Sequence, residues 1–334
     1  MIETTHMANQ GRREFIQKAA LAATGLLAGV GPARGVAAAS NPAQQTPAPK
    51  KASPLPVCIF SKQLHWLGYE EMAQTVAQLG FDGIDLTVRP GGHVLPENVA
   101  TDLPKAVAVA RKAGLDVPML TTSITDARHP HTELILKTAS QLGINYYRTG
   151  WLPYPEEIPI PETLEKYKLQ LRELAALNKR YGIHGAYQNH AGTDMGAAVW
   201  DLWYLIRELE PEWIGLQYDI KHATLEGGQS WPNDVRLMHS YIKTMDIKDF
   251  KWTKNDGKWQ VQMVPLGEGM VDFRKFFGLV KQYQISGPIS LHMEYPLGGA
   301  ENGATKLSVN RDIVLEAMRK DLENTRRYMK EAGL

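Results

Sequence analysis

The chain holds a single cysteine, Cys58, in 334 residues. A lone thiol excludes an internal disulfide framework and any cysteine-built zinc or iron–sulfur cluster within one chain, so a bound metal would need His, Asp, Glu, Asn or Gln. Cys58, inside an apolar stretch, reads as a small buried hydrophobe. Charge of one sign is lacking as well: 37 Lys and Arg stand against 36 Asp and Glu, a formal charge of +1. Without a basic surplus, neither a phosphate backbone nor an anionic bilayer is an expected partner. No apolar run reaches the ~20 residues needed to span a bilayer. Nucleotide fingerprints are missing too, since no Gly-x-Gly-x-x-Gly follows the first predicted strand and no Gly-x-x-x-x-Gly-Lys-Ser/Thr occurs. What remains is 43% hydrophobic and 22% charged, the balance of a globular chain with a sizeable core.

Residues 1–39 read as an address. Arg12 and Arg13, with Phe15 and Lys18 behind them, precede an apolar run from Ala19 to Val30 and an Ala-rich cleavage site ending at Ala39. A charged n-region, a short h-region and a small-residue site make a signal peptide. The paired arginines resemble the bacterial twin-arginine signal, which implies passage of a folded protein through the twin-arginine translocase. A periplasmic or otherwise exported protein is expected, with no membrane attachment after cleavage. Pro42, Pro47, Pro49 and Pro54 space a polar linker over 40–54, expected to be disordered.

From residue 55 the chain alternates short apolar or β-branched runs with helical-period stretches, the pattern of a parallel sheet under covering helices. Strands are predicted at 57–61, 83–87, 117–121, 146–149, 184–189, 214–219, 242–247 and 289–294. Helices are predicted near 68–80, 98–113, 132–142, 160–181, 196–209, 233–239, 272–284 and 311–332. Gly80, Gly114, Gly143 and Gly182 stand where helices should stop. Eight such units in about 280 residues predict an α/β fold, a closed (β/α)₈ TIM barrel, as one domain over 55–334.

Barrel chemistry sits where strands end. The fifth strand ends Tyr187-Gln188-Asn189-His190 and the sixth Tyr218-Asp219-Ile220-Lys221-His222. The seventh ends Met245-Asp246-Ile247-Lys248-Asp249 and the eighth His292-Met293-Glu294. Gln188, Asp219, Asp246 and Glu294 form the expected inward set. Three carboxylates in one concavity repel and desolvate one another unless a cation neutralises them or some are protonated. A divalent metal is the simplest resolution, and the oxygen-rich donors favour Mn²⁺, with Mg²⁺, Co²⁺ and Zn²⁺ open. Taken singly, each also reads as a cap or turn residue; Asp219 or Asp246 would then cap the following helix.

These motifs, with Leu79-Gly80-Phe81-Asp82-Gly83-Ile84-Asp85-Leu86 and Pro265-Leu266-Gly267-Glu268-Gly269, resemble the sugar phosphate isomerase/epimerase family of xylose isomerase-like TIM barrels over 55–334. The resemblance implies one divalent metal at the four strand-end positions, with two glutamates pairing as acid and base about a sugar carbon. The chain departs from that pattern twice. Gln188 stands where the first Glu is usual, and Asp246 where a His is usual. Glutamine cannot carry a proton at ordinary pH, which leaves Glu294 as the carboxylate base or as a ligand of the metal alone, with proton removal falling to Glu294 or a histidine.

His222, three residues past Asp219, would by resemblance contact substrate. Lys248 is a cation for an enolate oxygen if it faces the mouth, or a partner of Asp249 if it does not. His93 and His190, in loops after the second and fifth strands, suit hydrogen bonds to sugar hydroxyls or a proton relay. Arg148 ends the fourth strand, aimed at an anionic or carbonyl oxygen or at a neighbouring carboxylate. Trp66, Trp151 and Trp252 follow strands on the same face, where indoles stack on sugar C–H surfaces. The sequence therefore predicts an exported, metal-dependent sugar isomerase or epimerase with a small sugar or keto-sugar substrate. A lyase or hydratase on a keto-sugar or keto-glycoside is the second reading, and a non-catalytic carbohydrate-binding barrel the third. An endonuclease is disfavoured by the neutral charge.

Overall fold

The computed structural model describes residues 55–334; the signal over 1–39 and the linker over 40–54 lie outside the described residues. Eight parallel strands close a barrel: β1 (Val57–Phe60), β2 (Gly83–Val88), β3 (Asp116–Thr122), β4 (Tyr146–Arg148), β5 (His184–Gln188), β6 (Ile214–Asp219), β7 (Ile242–Ile247) and β10 (Ile289–Leu291), which pairs with both β7 and β1. This is the predicted TIM barrel. The apolar runs succeed as strands because both faces are covered, so β1, β2, β5 and β6 are buried along their whole length. β10 stops three residues before the predicted end, although the His292 N–H still reaches the Ile247 carbonyl at 3.0 Å. Glu294 therefore sits in the loop above the ring of strands.

The cover consists of α1 (Tyr69–Leu79), α2 (Val99–Lys112), α3 (Thr132–Gln141), α4 (Ile160–Tyr181), α5 (Val199–Ile206), α6 (Ile220–Gly227), α7 (Trp231–Met238), α8 (Phe273–Gln282) and α9 (Arg311–Ala332). α8 illustrates the packing: Phe273, Phe276, Phe277 and Val280, at helical spacing, are the residues it buries. Gly80 and Gly182 end α1 and α4 in the left-handed conformation, as predicted. Gly215 serves close approach instead: a Cβ there would lie 2.1 Å from the Tyr241 carbonyl oxygen, whose hydrogen bond from the Leu216 N–H (2.8 Å) joins β6 to the chain entering β7. Cys58 is buried and free.

Two elements were not predicted. α6 begins directly at the end of β6, and an antiparallel hairpin, β8 (Asp249–Asn255) with β9 (Lys258–Val264), projects after β7. Its two-residue turn, Asp256-Gly257, has both φ angles positive (48° and 78°), the conformation that matches strand twist in tight hairpins. Among the described residues no helix is long and apolar enough to cross a membrane.

Candidate active site

Strand period and closure bring Gln188, Asp219, Asp246 and Glu294 together at the mouth. Asp219 and Asp246 stand side by side across β6 and β7. Asp219 also caps α6, its Oδ1 accepting the His222 N–H at 3.1 Å. Its Oδ2 accepts from Gln188 Nε2 at 2.9 Å and faces the Lys248 ammonium at 3.1 Å. Asp246 accepts from Gln188 Nε2 at 2.5 Å and from Gln217 Nε2 at 2.7 Å, with His292 Nε2 at 3.3 Å. Glu294 meets Lys248 at 3.2 Å and His292 Nδ1 at 3.6 Å. Behind Gln188, Arg148 Nη1 donates to the amide oxygen at 2.9 Å, so Arg148 does not pair directly with a neighbouring carboxylate.

Of the two readings the sequence offers for Lys248, the structure has the one that faces the mouth. The pairing with Asp249 offered by the sequence is not formed. Residues i and i+2 of a strand share a face, so Lys248 follows Asp246 inward. Asp249 turns away and instead accepts the N–H groups of Phe250, Gly267, Gly269 and Val271 at 2.8 to 3.2 Å. Burial opposes the Lys248 charge, yet Asp219, Glu294 and Asp246 together raise its pKa above the ordinary lysine value. In return, although burial works against ionisation of Glu294, Lys248 and His292 hold that carboxyl well below its usual range. Burial likewise opposes a charge on His292, and Asp246 overrides it to raise the imidazole pKa.

The mutual repulsion of three carboxylates is thus relieved by Lys248 and His292. As arranged, the donor set does not fit the expected divalent ion. Gln188 presents N–H groups, not an oxygen, to Asp219 and Asp246, and Lys248 lies between Asp219 and Glu294. Among the described residues no group of three or more His, Cys, Asp and Glu side chains is disposed to hold a metal.

A cavity of about 430 Å³ opens on this cluster, lined in part by Gln188, His190, Lys248, His292 and Glu294. His190 gives its Nδ1 to the Ala191 carbonyl (2.9 Å), which leaves a lone pair on Nε2. Burial and the Lys248 charge push its pKa down to about 4, so the ring is neutral at physiological pH. His222 packs behind it, tilted by 41° with ring centroids 3.9 Å apart. Its Nδ1 accepts the Ala191 N–H (3.1 Å), and it supports His190 without lining the cavity.

The remaining predicted residues divide. Trp151 lines the cavity with the Arg148 guanidinium 4.7 Å over its ring. Trp66, bonded to the Gln63 carbonyl (2.9 Å) and covered by Arg311, lies outside it. Trp252 is carried off on the unpredicted hairpin, where Met263 of β9 reaches the cavity instead. His93 packs edge-on against His65 (4.7 Å) beside Thr87 and does not line the cavity. Sequence reasoning missed Phe60, Lys62, Arg89 and His292, which do. Their signal was position, immediately after or within the ends of β1, β2 and β10.

Comparison with known proteins follows this geometry. The family described as xylose isomerase-like TIM barrel matches residues 73–313. No curated protein matches the chain. The chain is similar in structure to the IOLI protein with a binding zinc atom (TM-score 0.64, 15% identity, 83% of this chain and 98% of that one). It is similar to D-psicose 3-epimerase with D-tagatose from Clostridium cellulolyticum H10 (0.62, 12%, 82% and 99%). The probable 3-DHS dehydratase AsbF, involved in petrobactin synthesis, from Bacillus anthracis is a third such structure (0.58, 15%, 79% and 97%). At these identities the likeness is one of fold.

Proposed function

The chain belongs to the xylose isomerase-like TIM barrel family, and on that premise we propose that it is a sugar isomerase/epimerase-like enzyme that moves a proton at a carbon beside a carbonyl. The observation that carries this reading is the buried Lys248 ammonium at the cavity floor, touching Glu294 and aligned with Asp219. A ketose oxygen seated on Lys248 would be polarised without water competing for it. Glu294, kept ionised by Lys248 and His292, would take the adjacent carbon-bound proton, and the electron pair would pass to the oxygen on Lys248. Gln188 orients rather than transfers, since both its amide hydrogens are engaged by carboxylates. Return of the proton by Glu294 to the neighbouring carbon, with the hydroxyl proton of the first carbon passing to the former carbonyl oxygen, gives isomerisation. Delivery of a solvent proton to the opposite face of the same carbon, with Glu294 releasing its own proton to solvent, gives epimerisation. The expected metal has no step in this scheme, because the donor set does not fit it.

A lyase on a keto-sugar is the second reading, favoured by Gln188. With no second carboxylate in its place, the enolate would instead expel a β-oxygen. Export through the twin-arginine route remains part of the proposal, on the strength of residues 1–39.

The test is solvent exchange. Ketoses and keto-glycosides are incubated with the enzyme in D₂O, and carbon-bound deuterium is read by NMR. The wild type exchanges or eliminates at one carbon, and Glu294→Gln slows this by about 10²-fold or more, the usual scale for a lost general base. A folded wild type that exchanges none of them returns the chain to the carbohydrate-binding reading.

A further inference from the structure

Beside Glu294 and Gln188, on the wall of the same cavity, three cations gather around one phenyl ring. Lys62 follows β1, Arg89 follows β2, and Arg148 ends β4. Their charged groups lie 5.7, 5.6 and 5.9 Å from the centre of the Phe60 ring. Like charges drawn this close, and partly removed from water, are costly unless an anion joins them. Among the described residues the one carboxylate that pairs with any of them is Glu294, 3.9 Å from Lys62. The Arg89 guanidinium makes no ion pair and no hydrogen bond among the described residues; its one contact of that kind is the face of Phe60. Burial and the neighbouring Arg148 push its pKa down to about 10. Arg148 is 3% exposed; it spends Nη1 on the neutral Gln188 oxygen, and its Nε is buried with no partner. Lys62 has only Glu294, 3.9 Å away and already held by Lys248. The other acid on the cavity wall, Glu301, is consumed by the N–H groups of Leu297 and Gly299 at 2.9 Å each and by Asn302.

We propose that Lys62, Arg89 and Arg148 form an anion subsite over Phe60, so that the substrate is a sugar derivative carrying a carboxylate or phosphate rather than a neutral sugar. This rests on the sugar-converting reading above for the word substrate; the subsite itself rests on the unpaired Arg89, the unpartnered Nε of Arg148 and Lys62, whose one carboxylate is 3.9 Å away and shared with Lys248. Guanidinium forks match the oxygen pairs of both anions. A group seated there lies beside Glu294, within a few bonds of the carbon whose proton that residue would take. The neutral charge of the whole chain is no obstacle, since the field of a cleft is set by the charges that line it.

Calorimetric titration of the full chain with a uronate, a ketose phosphate, inorganic phosphate and a neutral ketose tests this. The expected result is that the anionic sugars bind at least tenfold more tightly than the neutral ketose, with affinity falling as salt rises. Whichever of uronate and ketose phosphate binds more tightly identifies the group. Arg89→Gln should weaken anion binding at least tenfold and neutral-ketose binding by far less; Lys62→Met serves as the second variant if the first does not fold. Equal binding of neutral and anionic sugars, or anion affinity unchanged in a folded Arg89→Gln, overturns the subsite. Anion binding that persists while no sugar exchanges deuterium overturns the isomerase reading and leaves the subsite standing.

Discussion

Across the barrel mouth, the wall built by β5, β6, β7 and β10 closes its charges on one another, whereas the wall built by β1, β2 and β4 leaves its charges facing a phenyl ring. On the first wall every carboxylate has a cation or amide within hydrogen-bonding distance: Lys248 between Asp219 and Glu294, Gln188 between Asp219 and Asp246, and His292 against Asp246. On the second, Arg89 has no ionic partner among the described residues, and Arg148 has a buried N–H to spare. A buried charge that is paired holds the fold and arranges chemistry. One left unpaired beside a cavity is costly in the free protein and is explained by what enters from outside. On the reading proposed above, the first wall would carry structure and proton transfer and the second recognition.

Mutations should separate the walls. Lys248→Met strands two carboxylates and should cost about 3–5 kcal/mol of stability in denaturant titration, the range for breaking a buried pair. Adding Asp219→Asn should return a good part of it. An unchanged midpoint would mean that the network is not self-sufficient. Gln188→Glu is next: it removes two donors and sets a further carboxylate against Asp219 and Asp246, at about 1–3 kcal/mol. Its melting temperature should then rise with added Mn²⁺ or Zn²⁺, whereas that of the wild type should not move with the ions or with a chelator. A wild type stabilised by these ions would break the comparison at its centre. Arg89→Gln is the smallest effect and has the opposite sign. Relieving repulsion from a partly exposed guanidinium should leave stability level or raise it by up to about 1 kcal/mol. A clear loss would mean that the second wall is also structural.

Much of the barrel was legible because its signals are local. The predicted runs at 214–219 and 242–247 coincide with β6 and β7, since β-branched and aromatic runs bounded by turns need only a covering layer to become strands. α4 and α9 match the predicted 160–181 and 311–332, bounded by glycines that can enter the left-handed region. The hairpin was equally legible in Asp256-Gly257 between alternating residues and was overlooked for a different reason: a scheme of eight strand–helix units has no place for two extra strands. That omission misplaced Trp252. Lys248 stayed open between the mouth and Asp249, because the direction it shares with Asp246 follows from the period of two and was not applied.

The amino-acid order alone determined the eight units, the acids and the glutamine at the strand ends, and the absence of a cysteine-based metal centre. All of these depend on periodicity, turn chemistry and side-chain inventory within a few neighbours. Only the closed barrel decided which charge answers which. Closure sets β10 beside β1 and β7, bringing His292 and Glu294 to Lys248 and Asp246, and Lys62, Arg89 and Arg148 to one ring. Coulomb energies and desolvation depend on distance through space and on burial. Neither quantity exists for a pair of residues until the chain between them has folded.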